Sequence, residues 1–253
     1  MAEKEKKHHR FGLVGKDIEY SFSRGYFSEK FEKLELPNHS YENFDLAEIN
    51  EFTKLIQENS NLNGLNVTIP YKEEVIPFLT RLNEDAEKIG AVNTIKFHNN
   101  QLIGFNTDVY GFQKSIEPHL KGHHKKALIL GSGGASKAVS FVFSQLGITY
   151  KIVSRKPAKE QLSYEDLNEV LSDYQVIVNC TPLGTHPDID EKPQIPYHLL
   201  TPKHLLFDLI YNPPKTAFLL EGESQGAAIC NGNQMLKFQA EKSWEIWTNN
   251  AST

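Results

Sequence analysis

Arginine is scarce in this chain of 253 residues: only Arg10, Arg24, Arg81 and Arg155 occur. Lysine and arginine together number 27 against 32 acidic residues, a formal net charge of -5. No basic face is implied, so nucleic acid is not an expected partner. Cysteine is scarcer still. Cys180 and Cys230 lie far apart in predicted apolar strands; nothing near them has metal-ligand spacing, no metal is expected, and two buried thiols fit a reducing compartment. No apolar run approaches the roughly 18 residues of a membrane span. The highly charged first ten residues lack the apolar core of a signal peptide and read as a solvated tail. Internal repeats and low-complexity linkers are missing too. What remains is a cytoplasmic chain with the length of two modest domains or one large one.

The most informative stretch lies mid-chain. An apolar run, Ala127 to Leu130, breaks into glycine at Gly131, Gly133 and Gly134, and Val139, Val142, Phe143 and Leu146 then recur at helical spacing. Strand, glycine turn and helix in that order suit a phosphate, because the backbone approaches closely and the helix N-terminus offers N–H groups. Ser136 stands where the dinucleotide pattern has its third glycine or alanine, and an ordinary tight turn is the plainer alternative. Gly147 reads as the helix stop and Thr149 to Val153 as the next strand, followed by Ser154, Arg155 and Lys156. An acidic residue at that strand end selects NAD; the cations here, above all the Arg155 guanidinium, suit the 2′-phosphate of NADP. A solvated basic turn is the alternative reading. Further strands are expected over Tyr174 to Asn179, His204 to Ile210 and Gly226 to Cys230, nearly continuous apolar runs as in a covered parallel sheet.

In the first half, Phe11 to Gly15 reads as a strand, Phe27, Phe31 and Leu34 as a helical stripe, Ile49, Phe52 and Ile56 as a second helix. Gly64 to Ile69 reads as a strand stopped by Pro70, and Ala91 to Phe97 and Leu102 to Phe105 flank an Asn99–Asn100 hairpin turn. Polar residues gather where these strands end or begin: Ser21, Ser23, Asn66, Thr68, Lys72, Asn93, Asn106 and Asp108. Each has a bland alternative. Lys72 suits a solvated surface, Ser21, Ser23 and Asp108 suit helix caps, and Asn66 and Thr68 suit one face of a strand.

In combination these segments resemble the shikimate dehydrogenase family. Residues 66–72 (NVTIPYK), 90–94 (GAVNT), 104–108 (GFNTD), 131–135 (GSGGA), 179–184 (NCTPLG) and 232–239 (GNQMLKFQ) are similar to family motifs in the same order. The resemblance implies two α/β domains, a substrate domain and a Rossmann-type doubly wound parallel sheet, with a cleft between them. It implies boundaries at 1–107 for the substrate domain, 108–232 for the NADP domain and 233–253 for a helix returning to the first. The activity implied is reversible, NADP(H)-dependent reduction of 3-dehydroshikimate to shikimate in aromatic amino-acid biosynthesis, by a monomer or homodimer.

Position by position, the resemblance makes Lys72 and Asp108 the catalytic pair. Ser21 and Ser23, with Tyr211 nearby, would hold the substrate carboxylate; Thr68, Asn93, Asp108 and Gln239 would bind ring hydroxyls. Gly131, Ser132, Gly133, Gly134 and Ala135, with Ser154, Arg155 and Lys156, would bind NADP, and Thr181 and Gly232 would lie along the cofactor. The family's first substrate segment usually carries a histidine and a proline where this chain has Tyr20 and Arg24, which leaves quinate as an alternative substrate. A nucleotide-sensing module needs neither Lys72 nor Asp108. A glutamyl-tRNA reductase needs a cysteine in the first half, where there is none.

Overall fold

The computed structural model describes residues 8–19 and 21–249. Residues 1–7 of the predicted tail and Tyr20 lie outside the described residues. The chain divides into two units, one running through Thr107 and resuming at Ala240, the other Asp108–Gln239.

The first unit contains β1 (His9–Gly15), α1 (Phe22–Lys33), β2 (His39–Asp45), α2 (Glu51–Glu58), β3 (Leu62–Val67), β4 (Arg81–Leu82), α3 (Glu84–Ile89), β5 (Thr94–His98) and β6 (Gln101–Phe105). They form one sheet in the order β2-β1-β3-β5-β6-β4. β1 runs parallel to β2 and β3, whereas β5 is antiparallel to β3 and β6, so the sheet is mixed. Asn99 and Asn100 take φ of 49° and 59°, the left-handed pair that a two-residue hairpin requires. The expected helical stripe ends sooner than its spacing suggests: Phe27 and Phe31 are buried, but Leu34 is the residue after α1 and is 49% exposed. β2 escapes a periodicity reading because it is a polar edge strand that buries only Tyr41. From the C-terminal segment, Trp247 stacks on Phe11 at 4.9 Å and donates its indole N–H to the Ile95 carbonyl at 3.0 Å. That bond gives a buried polar edge its partner, without which so large a side chain would be costly to bury.

The second unit contains α4 (Asp108–Ile116), β7 (Lys126–Leu130), α5 (Gly134–Gln145), β8 (Thr149–Val153), α6 (Leu167–Val170), β9 (Val176–Asn179), β10 (Leu205–Asp208), α7 (Ala217–Ser224), β11 (Ala228–Cys230) and α8 (Asn233–Thr248), whose residues from Ala240 onward belong to the first unit. The strands pair in parallel in the order β11-β10-β9-β7-β8. The chain therefore reverses direction across the sheet after β8, which opens a switch point beyond the carboxyl ends of β7 and β9, where ligands of such sheets bind. Leu128, Leu130, Ile177 and Leu206 are fully buried. Phe112 meets Phe143 and Phe207 edge-on at 5.5 and 5.1 Å. Cys180 lies one residue past β9 and Cys230 ends β11; both are free and partly exposed. Burial pushes both thiols up, Cys230 to about 11, so neither is a ready nucleophile.

At the opposite strand ends, the nearly buried His124 accepts the Lys121 N–H at 3.0 Å through Nδ1, which leaves Nε2 to donate to the Lys203 carbonyl at 3.1 Å. His204 likewise accepts the Thr201 N–H at 3.0 Å. Protonation of His124 Nδ1 would aim a new N–H at the Lys121 donor, and burial, the largest cause, holds both imidazoles below their ordinary value. Their contribution to stability is complete above about pH 6.5 and is lost as pH falls toward the lowered folded values. His124→Gln is expected to lose less Tm than the parent between pH 7 and 5 in calorimetry; equal losses would show that His124 does not carry the effect.

Candidate active site

In the first unit the strand ends deliver the polar residues. The Thr68 N–H donates to the Val14 carbonyl at 2.9 Å and its carbonyl accepts the Tyr71 N–H at 2.9 Å, a turn that presents Lys72. The Lys72 carbonyl accepts the Val92 N–H at 2.7 Å, and Asn93 exchanges main-chain bonds with Val67 and Phe105 at 2.9 and 3.1 Å. Thr68 and Lys72 on one turn and Asn93 on the segment beside it are thus cross-linked through the backbone, which fixes their spacing before any side-chain contact. The strand is shorter than its apolar run, since β3 ends at Val67 and Ile69 is 74% exposed.

Ser21 is the N-cap of α1, with extended φ and ψ of -68° and 130°, and its hydroxyl accepts the Ser23 N–H at 3.1 Å. Ser23 lies in the first turn beside the Tyr41 phenol. The first turn of α1 has no acidic residue, so the dipole and the two hydroxyls favour a carboxylate there. The approach to Ser21 is clamped from β2. Asp45 takes the N–H groups of Asp17 and Ile18 at 3.0 and 3.2 Å, and Asn43 donates to the Ile18 carbonyl at 2.9 Å. Arg24 is exposed.

In the second unit Gly131 takes φ of +105°, and a Cβ there would lie 3.2 Å from both the Cys180 carbonyl and Thr181 Cγ2, so the turn demands glycine twice over. Ser132 and Gly133 are exposed, Gly134 and Ala135 open α5, and no side chain caps the helix and no acid occupies its first turn. These open N–H groups fit a pyrophosphate. Ser136 stands in for the third small residue of the motif because it is buried at 1% exposure and donates to the Gly133 carbonyl at 2.6 Å. Past β8, Lys156 N–H donates to Ser154 Oγ at 3.3 Å, a turn that leaves Arg155 and Lys156 exposed. Burial pushes the nearby Tyr164 phenol up, and the Arg155 cation partly offsets this.

Thr181 is used by its own loop: its hydroxyl and N–H donate to Asn179 Oδ1 at 2.7 and 3.0 Å. Gly232 donates to the Ile210 carbonyl at 3.0 Å, beside the partly exposed Tyr211. Asp108 is the first residue of α4, not the residue before it, and is 5% exposed. One turn on, a Cβ on Gly111 would meet the Met235 carbonyl at 2.6 Å and Gln239 Cβ at 3.1 Å. The helices carrying Asp108 and Gln239 are therefore in direct contact, and a bare residue at 111 permits it.

Known proteins bear on this arrangement. A family model for the shikimate dehydrogenase substrate binding domain matches residues 13–95, the stretch holding Ser21, Ser23, Thr68, Lys72 and Asn93. The shikimate dehydrogenase (NADP(+)) of Methanococcus vannielii is 34% identical over 259 residues, covering 94% of this chain and 90% of the relative. The chain belongs to the shikimate dehydrogenase family. Among solved structures, shikimate dehydrogenase 1 of Peptoclostridium difficile is 36% identical with a TM-score of 0.85, over 97% of this chain and 93% of that one. Shikimate 5-dehydrogenase of Thermus thermophilus, solved with NADP(H) and shikimate, is 29% identical with a TM-score of 0.84, over 94% and 93%.

One group in this family member escaped the sequence reading. Asp208, at the end of β10, is fully buried. Its carboxylate accepts Asn179 Nδ2 at 3.1 Å, the Ile210 N–H at 3.0 Å and the Thr216 hydroxyl at 2.5 Å. It ties the loop of Thr181, the loop of Tyr211 and the N-cap of α7 to one strand end. An acid inside the apolar run Leu205–Ile210 was the available signal. Burial, opposed by the three hydrogen bonds, pushes it up to about 6.

Proposed function

We propose that this chain catalyses the reversible, NADP-dependent reduction of 3-dehydroshikimate to shikimate in aromatic amino-acid biosynthesis. The observation that carries the reading is the open N-terminus of α5 behind Gly131, with Arg155 at the end of the following strand. NADPH, when bound, supplies the hydride. The α5 N–H groups, with Ser132 to Ala135, hold the pyrophosphate; Ser154, Arg155 and Lys156 read the 2′-phosphate; Thr181 and Gly232 line the cofactor. Ser21 and Ser23, with Tyr211, take the substrate carboxylate, and Thr68, Asn93, Asp108 and Gln239 take ring hydroxyls. As the ketone is reduced, negative charge grows on its oxygen, and Lys72 stabilises it and delivers the proton. Asp108 accepts a hydrogen bond from a ring hydroxyl. In the oxidative direction Lys72 takes the proton back.

The division of labour follows: residues 1–107 with the C-terminal helix bind substrate, and 108–232 bind cofactor while supplying Asp108 and Tyr211 to the substrate. Free thiols at Cys180 and Cys230 support a cytoplasmic location. Among the described residues no helix is long and apolar enough to cross a membrane. Small molecules are the partners, and the active form is a monomer or a homodimer.

The test is nicotinamide absorbance with shikimate or quinate and NADP or NAD, in all four pairings. Turnover with shikimate and NADP is expected to dominate; faster quinate turnover overturns the substrate, and no turnover in any pairing overturns the activity. Arg155→Ala should raise KM for NADP roughly 10- to 100-fold, the worth of charge-assisted hydrogen bonds, and leave KM for NAD near its parent value. An equal change for both cofactors would remove Arg155 from the 2′-phosphate.

A further inference from the structure

Thr181 and Gly232 sit on different loops of the second unit, and one carboxylate braces both loops. On the first side, the Thr181 N–H can only donate, and it lies 3.0 Å from the side-chain oxygen of Asn179. That bond fixes which end of the Asn179 amide is oxygen, so Nδ2 faces Asp208 Oδ1 at 3.1 Å. The Thr181 hydroxyl accepts the Leu183 N–H at 3.3 Å and spends its own proton on the Asn179 oxygen at 2.7 Å. The loop closed in this way lies flush on the glycine turn. The Cys180 N–H donates to the Leu130 carbonyl at 2.9 Å, and a Cβ on Gly131 would meet the Cys180 carbonyl and Thr181 Cγ2 at 3.2 Å.

On the second side, the Ile210 N–H donates to the same Asp208 oxygen at 3.0 Å, and the Leu209 N–H donates to the Asn179 carbonyl at 3.1 Å. The turn held there offers both of its carbonyls to Gly232. That of Ile210 accepts the Gly232 N–H at 3.0 Å, and that of Leu209 leaves no room for a Cβ. The Thr216 hydroxyl takes the other carboxylate oxygen at 2.5 Å. Asn179, Asp208 and Thr216 have no exposed surface, so water cannot replace a partner that is lost.

We infer that Asp208 is a positioning residue for the cofactor: through the Asn179 amide it sets Thr181 against the glycine turn, and through the Ile210 N–H it sets the carbonyls that receive Gly232. Being fully buried, it does this without touching the dinucleotide. Its signature differs from that of Arg155. The 2′-phosphate distinguishes NADPH from NADH, whereas Thr181 and Gly232 line what the two cofactors share. Loss of the brace should therefore weaken both equally.

The role rests on Thr181 and Gly232 lining the cofactor, as proposed above, and two measurements separate the two ideas. The control for both is Leu206→Ala, which opens a cavity at a fully buried position of the same strand and costs stability without touching the brace. The first measurement needs no cofactor. Amide hydrogen exchange at Thr181, Ile210 and Gly232 should quicken more in Asp208→Ala than in Leu206→Ala, each compared with the parent at an equal distance below its own Tm. Equal exchange in the two variants would overturn the brace. The second is equilibrium titration with NADPH and with NADH, followed by nicotinamide fluorescence. Asp208→Ala should raise Kd roughly 5- to 30-fold, by the same factor for both, the worth of one or two lost hydrogen bonds. Asp208→Asn keeps an oxygen for Asn179 and Ile210 while Thr216 turns to accept, and should stay within about 3-fold of the parent. Leu206→Ala should bind both cofactors like the parent. An unchanged Kd in Asp208→Ala, or an equal rise in Leu206→Ala, would overturn the positioning role. A parent protein that binds neither dinucleotide would instead overturn the proposed function, and the exchange measurement would still decide the brace.

Discussion

Lys72→Ala is expected to lower kcat for shikimate oxidation by about 10²- to 10⁴-fold, the range that a positioned proton-transfer group supplies, with KM much less changed. Lys72 follows the turn closed by Thr68 and Tyr71, and its carbonyl is pinned by the Val92 N–H at 2.7 Å. Truncating the side chain leaves that backbone bond in place, so the segment should keep its course and Tm should hold. The split between kcat and KM is the informative quantity. An interaction made only in the transition state lowers kcat, whereas one made equally to bound substrate raises KM. Lys72→Met, which keeps the stem and removes the charge, should fall to the same level. Lys72→Arg should not restore the rate, because a guanidinium holds its proton too firmly to cycle it. A Lys72→Ala enzyme with near-parent kcat would sink the assignment, and a raised KM at constant kcat would make Lys72 a binding residue only.

Asp208→Ala is expected to destabilise the protein by about 3 kcal/mol or more, roughly a 10 °C loss in Tm. It strands the Ile210 N–H and the Thr216 hydroxyl in a site with no exposed surface, and cuts Asn179 from its acceptor. Asp208→Asn is the more searching variant. The folded carboxyl titrates at about 6, above the unfolded value near 3.9. Its contribution to stability is complete below about pH 4 and lost as pH rises through about 6, worth about 2 to 3 kcal/mol. An amide cannot ionise, so the Tm advantage of the parent over Asp208→Asn should shrink as pH rises from 5 to 7. Taking the difference removes the opposite trend from His124 and His204, which the two proteins share. The neighbouring Cys180 thiol and Tyr197 phenol are pushed up, chiefly by burial and then by Asp208 in the case of the thiol, and stay neutral in this window. A difference that does not vary with pH would mean that Asp208 is not held protonated by burial.

Much of the candidate site is legible in the chain because local chemistry forces it. Gly131 must adopt a left-handed φ where Thr181 and Cys180 leave no room for a Cβ, and a strand-turn-helix pattern around such a residue shows in sequence. The apolar runs of the second unit announce covered parallel strands for the same reason, since both faces must exclude water. Ser21 takes the capping side of its reading, accepting the Ser23 N–H at the start of α1. β2 and β4 stayed hidden because an edge strand need not alternate and two residues carry no period.

The sequence by itself determined the family, the two α/β units and the identity of the polar residues at the strand ends. Those properties follow from hydrophobic period, glycine placement and motif order, all carried by residues near one another along the chain. Only the tertiary structure decided how those residues are held. Ser243 reaches Thr94 and Thr107 across 149 and 136 positions, and Asp208 gathers Asn179 from 29 positions away and Thr216 from eight. Such partners share no period and no motif. They are chosen by the requirement that a polar group taken out of water find its hydrogen bonds wherever the fold brings them.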